Sequence, residues 1–180
     1  SLSRNLPQAD RSVKSGLWER SSFMGAELAN KRLGMFGYGN IGRIVASRAK
    51  ELGMHVAVFD PFVNEEVFTT DGVSCLELDE LVKISDYLTF HCPVNEKTRG
   101  VLNAERIGSM KKGARVINCA RGGLIDEKAL YAALKSGHLA GAALDVFETE
   151  PPTDSPLLKL DNIVLTPHLG ASTSEAQNTA

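Results

Sequence analysis

Short apolar runs alternate with amphipathic stretches along most of the chain. Within these runs, apolar residues follow one another directly and do not alternate with polar ones. This pattern is typical of parallel strands covered on both faces of the sheet. We predict strands at residues 32–36, 54–59, 73–75, 86–91, 114–118, 140–144 and 163–166. Apolar residues recur at helical spacing at residues 41–52, 65–70, 78–84, 104–110 and 126–136. Strands that alternate with helices predict an α/β fold with a doubly wound parallel sheet.

Both ends of the chain are predicted to be helical. Residues 1–15 would form a helix that Pro7 could kink, and a final helix would run from Ser172 to the end of the chain. Residues 16–29 are predicted to be a loop in which Trp18 is a packing anchor. No Met opens the chain, and we expect a single domain taken from a longer protein.

A glycine-rich turn, Gly37-Tyr38-Gly39-Asn40-Ile41-Gly42, joins the first of these strands to a helix. Gly37 would allow the tight turn, Gly39 would let a pyrophosphate approach the backbone, and Gly42 would let the helix pack on the strand. The N–H groups near Asn40 and Ile41 would then face the phosphates at the helix N-terminus. The turn therefore predicts a dinucleotide site.

An acidic residue, Asp60, directly follows the next strand. Its carboxylate could accept hydrogen bonds from the ribose hydroxyls of adenosine, and its charge would repel a 2′-phosphate. We therefore predict NAD rather than NADP as the cofactor. The alternative is a glycine-rich turn in an ordinary α/β domain, with Asp60 capping a loop before Pro61.

Composition narrows the choice of partners. The chain has 180 residues, of which 43% are hydrophobic, and a net charge of -2 with no basic patch. We expect no nucleic-acid partner and no membrane partner. The cysteines Cys75, Cys92 and Cys119 lie far apart, so we expect neither a disulfide nor a metal site. Small buried thiols in a reducing cytoplasm are the simplest interpretation.

Polar side chains follow the later predicted strands, where ligands bind in open parallel sheets. Those side chains are Arg121, Asp145, Glu150 and His168. His168 could act as the base of a hydride-transfer reaction, because an imidazole titrates near neutral pH. Glu150 would orient the ring and favour its charged form, and the fork of Arg121 matches a substrate carboxylate.

Alternatives to these roles remain. Asp145 could accept a hydrogen bond from the cofactor's carboxamide. His168 could instead be a structural histidine behind a proline. His91, Cys92 and Pro93 could line an adenosine pocket or be purely structural.

At these residues the chain resembles the D-isomer-specific 2-hydroxy acid dehydrogenases. The resemblance extends over nearly the whole chain and is carried by residues 16–20, 37–42, 118–127, 141–152 and 166–177. It implies a Rossmann-type NAD-binding domain with an Arg–Glu–His catalytic set that matches Arg121, Glu150 and His168. It also implies cofactor contacts from the turn at 37–42 and from Asp60, Pro93, Cys119, Asp145 and Gly170.

The run after His168 is most similar to the branch of this family that oxidises 3-phosphoglycerate to 3-phosphohydroxypyruvate in serine biosynthesis. A reductase of glyoxylate, hydroxypyruvate or another D-2-hydroxy acid is an alternative, and so is a non-metabolic NAD-sensing corepressor. The partner would be a small 2-hydroxy or 2-oxo acid. The family also implies a homodimer or homotetramer formed through the cofactor domain.

In that family the cofactor domain is inserted within a substrate-binding domain. Residues 1–16 would then be the end of an interdomain helix, and residues 172–180 the start of the returning helix. The substrate domain would be absent from this chain, and the fragment alone would bind NAD but turn over slowly, because domain closure aligns the reactants.

Overall fold

Seven strands form one entirely parallel sheet in the structure, a computed structural model that describes residues 1–178. The order across the sheet is β3-β2-β1-β4-β5-β6-β7. The strands are β1 (Arg32–Phe36), β2 (His55–Phe59), β3 (Ser74–Cys75), β4 (Tyr87–Phe90), β5 (Arg115–Asn118), β6 (Gly141–Leu144) and β7 (Ile163–Leu165). The predicted doubly wound α/β fold is confirmed.

Helices connect these strands. They are α1 (Leu6–Lys14), α2 (Asn40–Glu51), α3 (Glu65–Asp71), α4 (Leu78–Ile84), α5 (Ala104–Ser109), α6 (Glu127–Lys135) and α7 (Ser174–Gln177). Short 3₁₀ turns occur at Leu2–Arg4, Arg20–Phe23 and Pro156–Lys159. None of the helices in the described residues combines the length and apolar character needed to cross a bilayer.

Alternate side chains of the buried strands enter two separate apolar clusters. Leu33 and Met35 of β1 lie in one cluster with Val58, whereas Phe36 lies in the other with Phe90. Successive side chains of a strand point to opposite faces of its sheet. The sheet is therefore covered on both faces, as the continuous apolar runs predicted.

Both chain ends differ from their predictions. Asn5 adopts a left-handed conformation (φ 51°) between a 3₁₀ turn and α1, so residues 1–15 are not one helix. Pro7 lies in the first turn of α1, where its missing N–H leaves no helical bond unmade. The final helix begins at Ser174 instead of Ser172, because the Thr173 hydroxyl caps it by accepting from the N–H of Ala176. Residues 179–180 lie outside the described part.

Two predictions about burial are wrong. Trp18 is 84% exposed, so it is not a packing anchor within this chain. Cys75 and Cys119 are exposed and Cys92 is half-buried. Each cysteine ends or follows a strand at the sheet's carboxyl edge, where the chain leaves the core.

The direction of winding reverses between β1 and β4. These two strands are neighbours in the sheet, although β2 and β3 come between them in the sequence. The loops after β1 and β4 therefore leave on opposite sides of a crevice at the carboxyl edge. Ligands of doubly wound folds bind at such a point.

Candidate active site

The sequence-predicted site residues all follow strands at the carboxyl edge of the sheet. Parallel strands end at one edge, so loops that are distant in sequence become neighbours. The loop after β1 carries the glycine turn and the loop after β2 carries Asp60. The remaining residues follow β4 (Pro93), β5 (Cys119 and Arg121), β6 (Asp145 and Glu150) and β7 (His168 and Gly170).

The glycine turn is closed against the protein and open on its outer side. Gly37 has a φ of +97°, and a Cβ there would lie 2.6 Å from the carbonyl oxygen of His91. A Cβ at Gly42 would lie 2.6 Å from the carbonyl oxygen of Gly37. At Gly39, by contrast, a Cβ would meet no atom within 4 Å. The outer side of the turn thus has room for a ligand to reach the backbone.

Helix α2 begins directly at this turn, with Gly39 as its N-cap. Gly39 has no side chain, so no side-chain oxygen caps the helix. The first N–H groups of a helix have no acceptor within it, and the helix dipole is positive there. The N–H groups of Asn40 and Ile41 in this first turn therefore suit a phosphate.

The carboxylate of Asp60 lies beside the same turn. Its Oδ2 accepts a hydrogen bond from the N–H of Tyr38 at 2.7 Å, and its Oδ1 accepts from the N–H of Phe62 at 2.9 Å. Each carboxylate oxygen can accept about two hydrogen bonds, so each retains capacity for a further donor. The side chain is thus held in place and can still accept from ribose hydroxyls.

A cavity of about 230 Å³ lies beside the turn, between the loops after β4 and β5. Ile41, Pro93 and Cys119, three of the predicted cofactor contacts, line it together with His91 and Cys92. Burial lowers the pKa of His91 to about 4 and raises the pKa of Cys92 to about 11. Both side chains are therefore neutral at neutral pH, and the guanidinium of Arg121 is the one charged group among the described residues that line this cavity.

Arg121 is exposed and, among the described residues, has no carboxylate partner. Its Nη1 donates to the carbonyl oxygen of Ala120 at 2.7 Å. The loop is held by Asn118, whose amide donates to the carbonyl oxygen of Arg121 at 2.9 Å and accepts from the N–H of Ala120 at 3.0 Å. Sequence reasoning gave Asn118 no role, although a polar residue that ends an apolar strand was the available signal.

His168 and Glu150 lie in direct contact. The imidazole Nδ1 is 2.9 Å from Glu150 Oε2, and Glu150 Oε1 accepts from the N–H of Phe147 at 3.0 Å. The hydrogen bond with His168, and then the one from Phe147, lower the pKa of Glu150. An ionised carboxylate only accepts hydrogen bonds, so Nδ1 carries the proton. In neutral His168 this leaves Nε2 as an acceptor, as a general base requires.

Asp145 is buried beneath the loop that carries His168. Its Oδ1 accepts from the Thr166 hydroxyl at 2.6 Å and from the N–H of Leu169 at 2.7 Å, and its Oδ2 accepts from the N–H of Gly170 at 2.8 Å. Burial alone would raise the pKa of Asp145, but these hydrogen bonds outweigh it and lower that pKa. The carboxylate thus organises the loop and keeps little capacity for another donor.

The loop around Asp145 holds His168 in an unusual backbone conformation. His168 has a φ of 55°, and its N–H donates to the carbonyl oxygen of Asp145 at 2.9 Å. Positive φ is uncommon outside glycine and persists only where the surroundings impose it. Thr166, whose hydroxyl contributes to those surroundings, was not singled out from the sequence. The contact of Asp145 with a cofactor carboxamide stays a prediction.

A larger cavity, of about 1050 Å³, extends along the carboxyl edge from the start of α2 to the loops after β5 and β7. Its lining includes Ile41, Cys119, Arg121, His168 and Gly170. The guanidinium of Arg121 and the imidazole of His168 therefore face one space, which also touches the first turn of α2. This arrangement can hold an anionic substrate and move a proton beside a nucleotide.

The chain matches known proteins over almost its whole length. A family model described as D-isomer specific 2-hydroxyacid dehydrogenase, NAD binding domain, matches residues 1–170. The chain is 53% identical over 178 residues to D-3-phosphoglycerate dehydrogenase from Methanocaldococcus jannaschii. This match covers 98% of the chain and 34% of that protein. It is 52% identical over 177 residues to the Bacillus subtilis D-3-phosphoglycerate dehydrogenase, with coverages of 98% and 34%.

A solved structure from Polaromonas sp. JS6 66, described as a D-isomer specific 2-hydroxyacid dehydrogenase, superposes with a TM-score of 0.91 at 38% identity. The match covers 98% of this chain and 56% of that chain. The chain spans about a third of the length of the curated relatives it matches.

Proposed function

The chain belongs to the NAD-binding domain of the D-isomer specific 2-hydroxyacid dehydrogenase family, and from that membership we propose the activity of the protein that carries it. This protein is an NAD-dependent oxidoreductase that transfers hydride between NAD and a D-2-hydroxy acid. The observation that carries the proposal is the meeting of Arg121 and His168 on one cavity, with Glu150 2.9 Å from the imidazole.

Each member of this set has one chemical task. NAD, when bound, supplies the hydride acceptor for the carbon that bears the substrate's hydroxyl. Nε2 of His168 takes the hydroxyl proton, and the ionised Glu150 stabilises the imidazolium that results. Arg121 binds the substrate carboxylate through its planar fork, because no acid of the described chain occupies that fork. In the reverse direction, His168 returns the proton.

The edge between β1 and β2 fits the cofactor's adenosine and pyrophosphate groups. The open position at Gly39 admits the pyrophosphate to the N–H groups of Asn40 and Ile41. Asp60 receives the ribose hydroxyls and disfavours a 2′-phosphate, which supports NAD over NADP. Pro93 and Cys119 line the smaller cavity, between the loops after β4 and β5. Asp145 and Gly170 lie at the end of the site that receives the nicotinamide.

We propose that the substrate is 3-phosphoglycerate, which is oxidised to 3-phosphohydroxypyruvate for serine biosynthesis. Support comes from relatives named D-3-phosphoglycerate dehydrogenase at 52–53% identity. A substrate panel on the complete protein tests this, with 3-phosphoglycerate, glyoxylate, hydroxypyruvate and D-lactate assayed with the matching nicotinamide cofactor. The highest kcat/KM for 3-phosphoglycerate is expected. A higher kcat/KM for any of the other three would reject this substrate and leave the hydride-transfer class standing.

We also propose that this region is a single nucleotide-binding domain and that the protein is located in a reducing cytoplasm. We further propose that the protein assembles as a homodimer or homotetramer through this domain. Large apolar side chains stand exposed near the start of the chain, with Trp18 84% and Met24 85% accessible. Trp18 and Met24 line one depression of the surface together, and contiguous exposed apolar side chains mark interaction surfaces. Light scattering is expected to give at least a dimer, and Trp18→Ala is expected to lower the measured mass. A monomer at all concentrations would reject the assembly.

A further inference from the structure

Tyr38 is the large side chain of the glycine turn at 37–42. It stands between Gly37 and Gly39, neither of which has a side chain that could anchor this part of the turn. Glycine loses more conformational freedom on folding than any other residue. A Gly-Tyr-Gly turn whose outer side is open therefore depends strongly on what holds Tyr38.

The phenol of Tyr38 is buried and hydrogen-bonded. The residue is 2% exposed, and its ring lies 5.5 Å from the ring of Phe68 in α3. Its hydroxyl is 3.0 Å from Asp71 Oδ2. Burial first, and then the hydrogen bond with Asp71, raise the pKa of Tyr38 to about 12. The hydroxyl is therefore protonated at neutral pH and donates to the Asp71 carboxylate.

The acceptor is itself held in place. Asp71 is the last residue of α3, and its carbonyl oxygen accepts a hydrogen bond from Lys50 Nζ at the end of α2. The guanidinium of Arg43 also lies 5.7 Å from the centre of the Tyr38 ring. The turn is thus fastened to two helices through one side chain.

The same residue reaches the ribose site. The N–H of Tyr38 donates to Asp60 Oδ2 at 2.7 Å. A shift of Tyr38 would therefore disturb both the turn that faces the pyrophosphate and the carboxylate that faces the ribose.

We propose that Tyr38 is a positioning residue for NAD binding, because its hydroxyl bond to Asp71 fixes the glycine turn and the register of that turn on Asp60. The inference rests on the proposed cofactor site and adds a determinant of affinity beyond the glycines and the ribose carboxylate. Tyr38 contacts no cofactor in this role; it sets the position of the groups that do.

The test measures NADH affinity by calorimetry in Tyr38→Phe, Asp71→Ala and the double variant. Loss of one hydrogen bond is expected to raise the Kd for NADH about three- to tenfold in each single variant. The double variant is expected to match the single variants, because both changes break the same bond.

Ser85→Ala is the matched control. Ser85 is also buried, and its hydroxyl donates to the carbonyl oxygen of Leu81 just before β4, at the edge of the sheet opposite the cofactor turn. Tyr38→Phe and Ser85→Ala are both expected to lower Tm, but only Tyr38→Phe should weaken NADH binding. An NADH Kd that is unchanged in Tyr38→Phe, or raised equally in Ser85→Ala, would overturn the positioning role. No NADH binding by the unsubstituted protein would instead reject the proposed function.

Discussion

The two halves of the carboxyl edge are built on different principles. On the β1–β2 side, the groups that face a ligand are backbone N–H groups of the glycine turn, and Asp60 is fixed by two further N–H groups. On the β5–β7 side, the ligand-facing groups are the exposed side chains of Arg121 and His168. They are held from beneath by the buried polar residues Asn118 and Asp145.

This difference separates binding from chemistry. Backbone groups in a closed turn bind any dinucleotide in one position, but they cannot exchange protons at neutral pH. Side chains on loops can exchange protons, yet they need support to hold one geometry. Substitutions on the first side should therefore change cofactor affinity, and substitutions on the second should change turnover.

The largest expected effect is on turnover. Replacing His168 with Ala in the complete protein removes the proton acceptor, and kcat should fall by about 10²- to 10⁴-fold. NADH affinity should stay within error, because the glycine turn is untouched. Steady-state rates and NADH calorimetry measure the two quantities. His138→Ala is the control, since His138 bonds the carbonyl oxygen of Ile107 away from this edge. An unchanged kcat in His168→Ala would remove His168 from the base role.

A smaller effect is expected at Asp60. Asp60→Ala removes the acceptor for the ribose hydroxyls and for the N–H of Tyr38, and the Kd for NADH should rise roughly tenfold or more. The preference for NADH over NADPH should narrow, since the repelling charge is gone. Calorimetry with both cofactors is the measurement, and Asp10→Ala on the exposed face of α1 is the control. Retention of the full NADH preference would exclude Asp60 from cofactor choice.

The smallest effect concerns stability on the β5–β7 side. Thr166→Val removes one donor to Asp145, and the free energy of unfolding at pH 7 should fall by about 1 kcal/mol. The folded-state pKa of Asp145 is lowered, so its contribution is present above the unfolded pKa of about 4 and is lost as pH falls through the folded value.

The difference between Thr166→Val and the unsubstituted protein should therefore be constant near neutral pH and shrink below about pH 4. Urea unfolding at a series of pH values measures it. A difference that grows on acidification would show that the hydroxyl does not act through the ionised carboxylate.

Much of the fold was accessible from local signals. The bounds of β1 and α4 agree with their predictions, because the apolar pattern starts where each element begins and stops where it ends. The predicted end of the helix at residue 52 lies within one residue of the end of α2, and Gly53 follows with a φ of +77°, a conformation that favours glycine. The break at Asn5 was missed because Pro7 is the stronger local signal, while a left-handed Asn depends on its tertiary surroundings.

The candidate site could be predicted only in part. Topology alone implied that Arg121 and His168 would approach each other, since parallel strands end at one edge. The bonds of Tyr38 to Asp71 and of Thr166 to Asp145 join residues far apart in sequence, and no local pattern encodes them. The same holds for Asp145, whose carboxylate is engaged mostly by its own protein.

The most direct test is a crystal structure of the protein with NADH bound. We expect the pyrophosphate over the first turn of α2, the adenosine ribose on Asp60, and the nicotinamide beside His168 and Arg121. A cofactor bound away from the glycine turn, or a nicotinamide that points away from His168, would contradict the account.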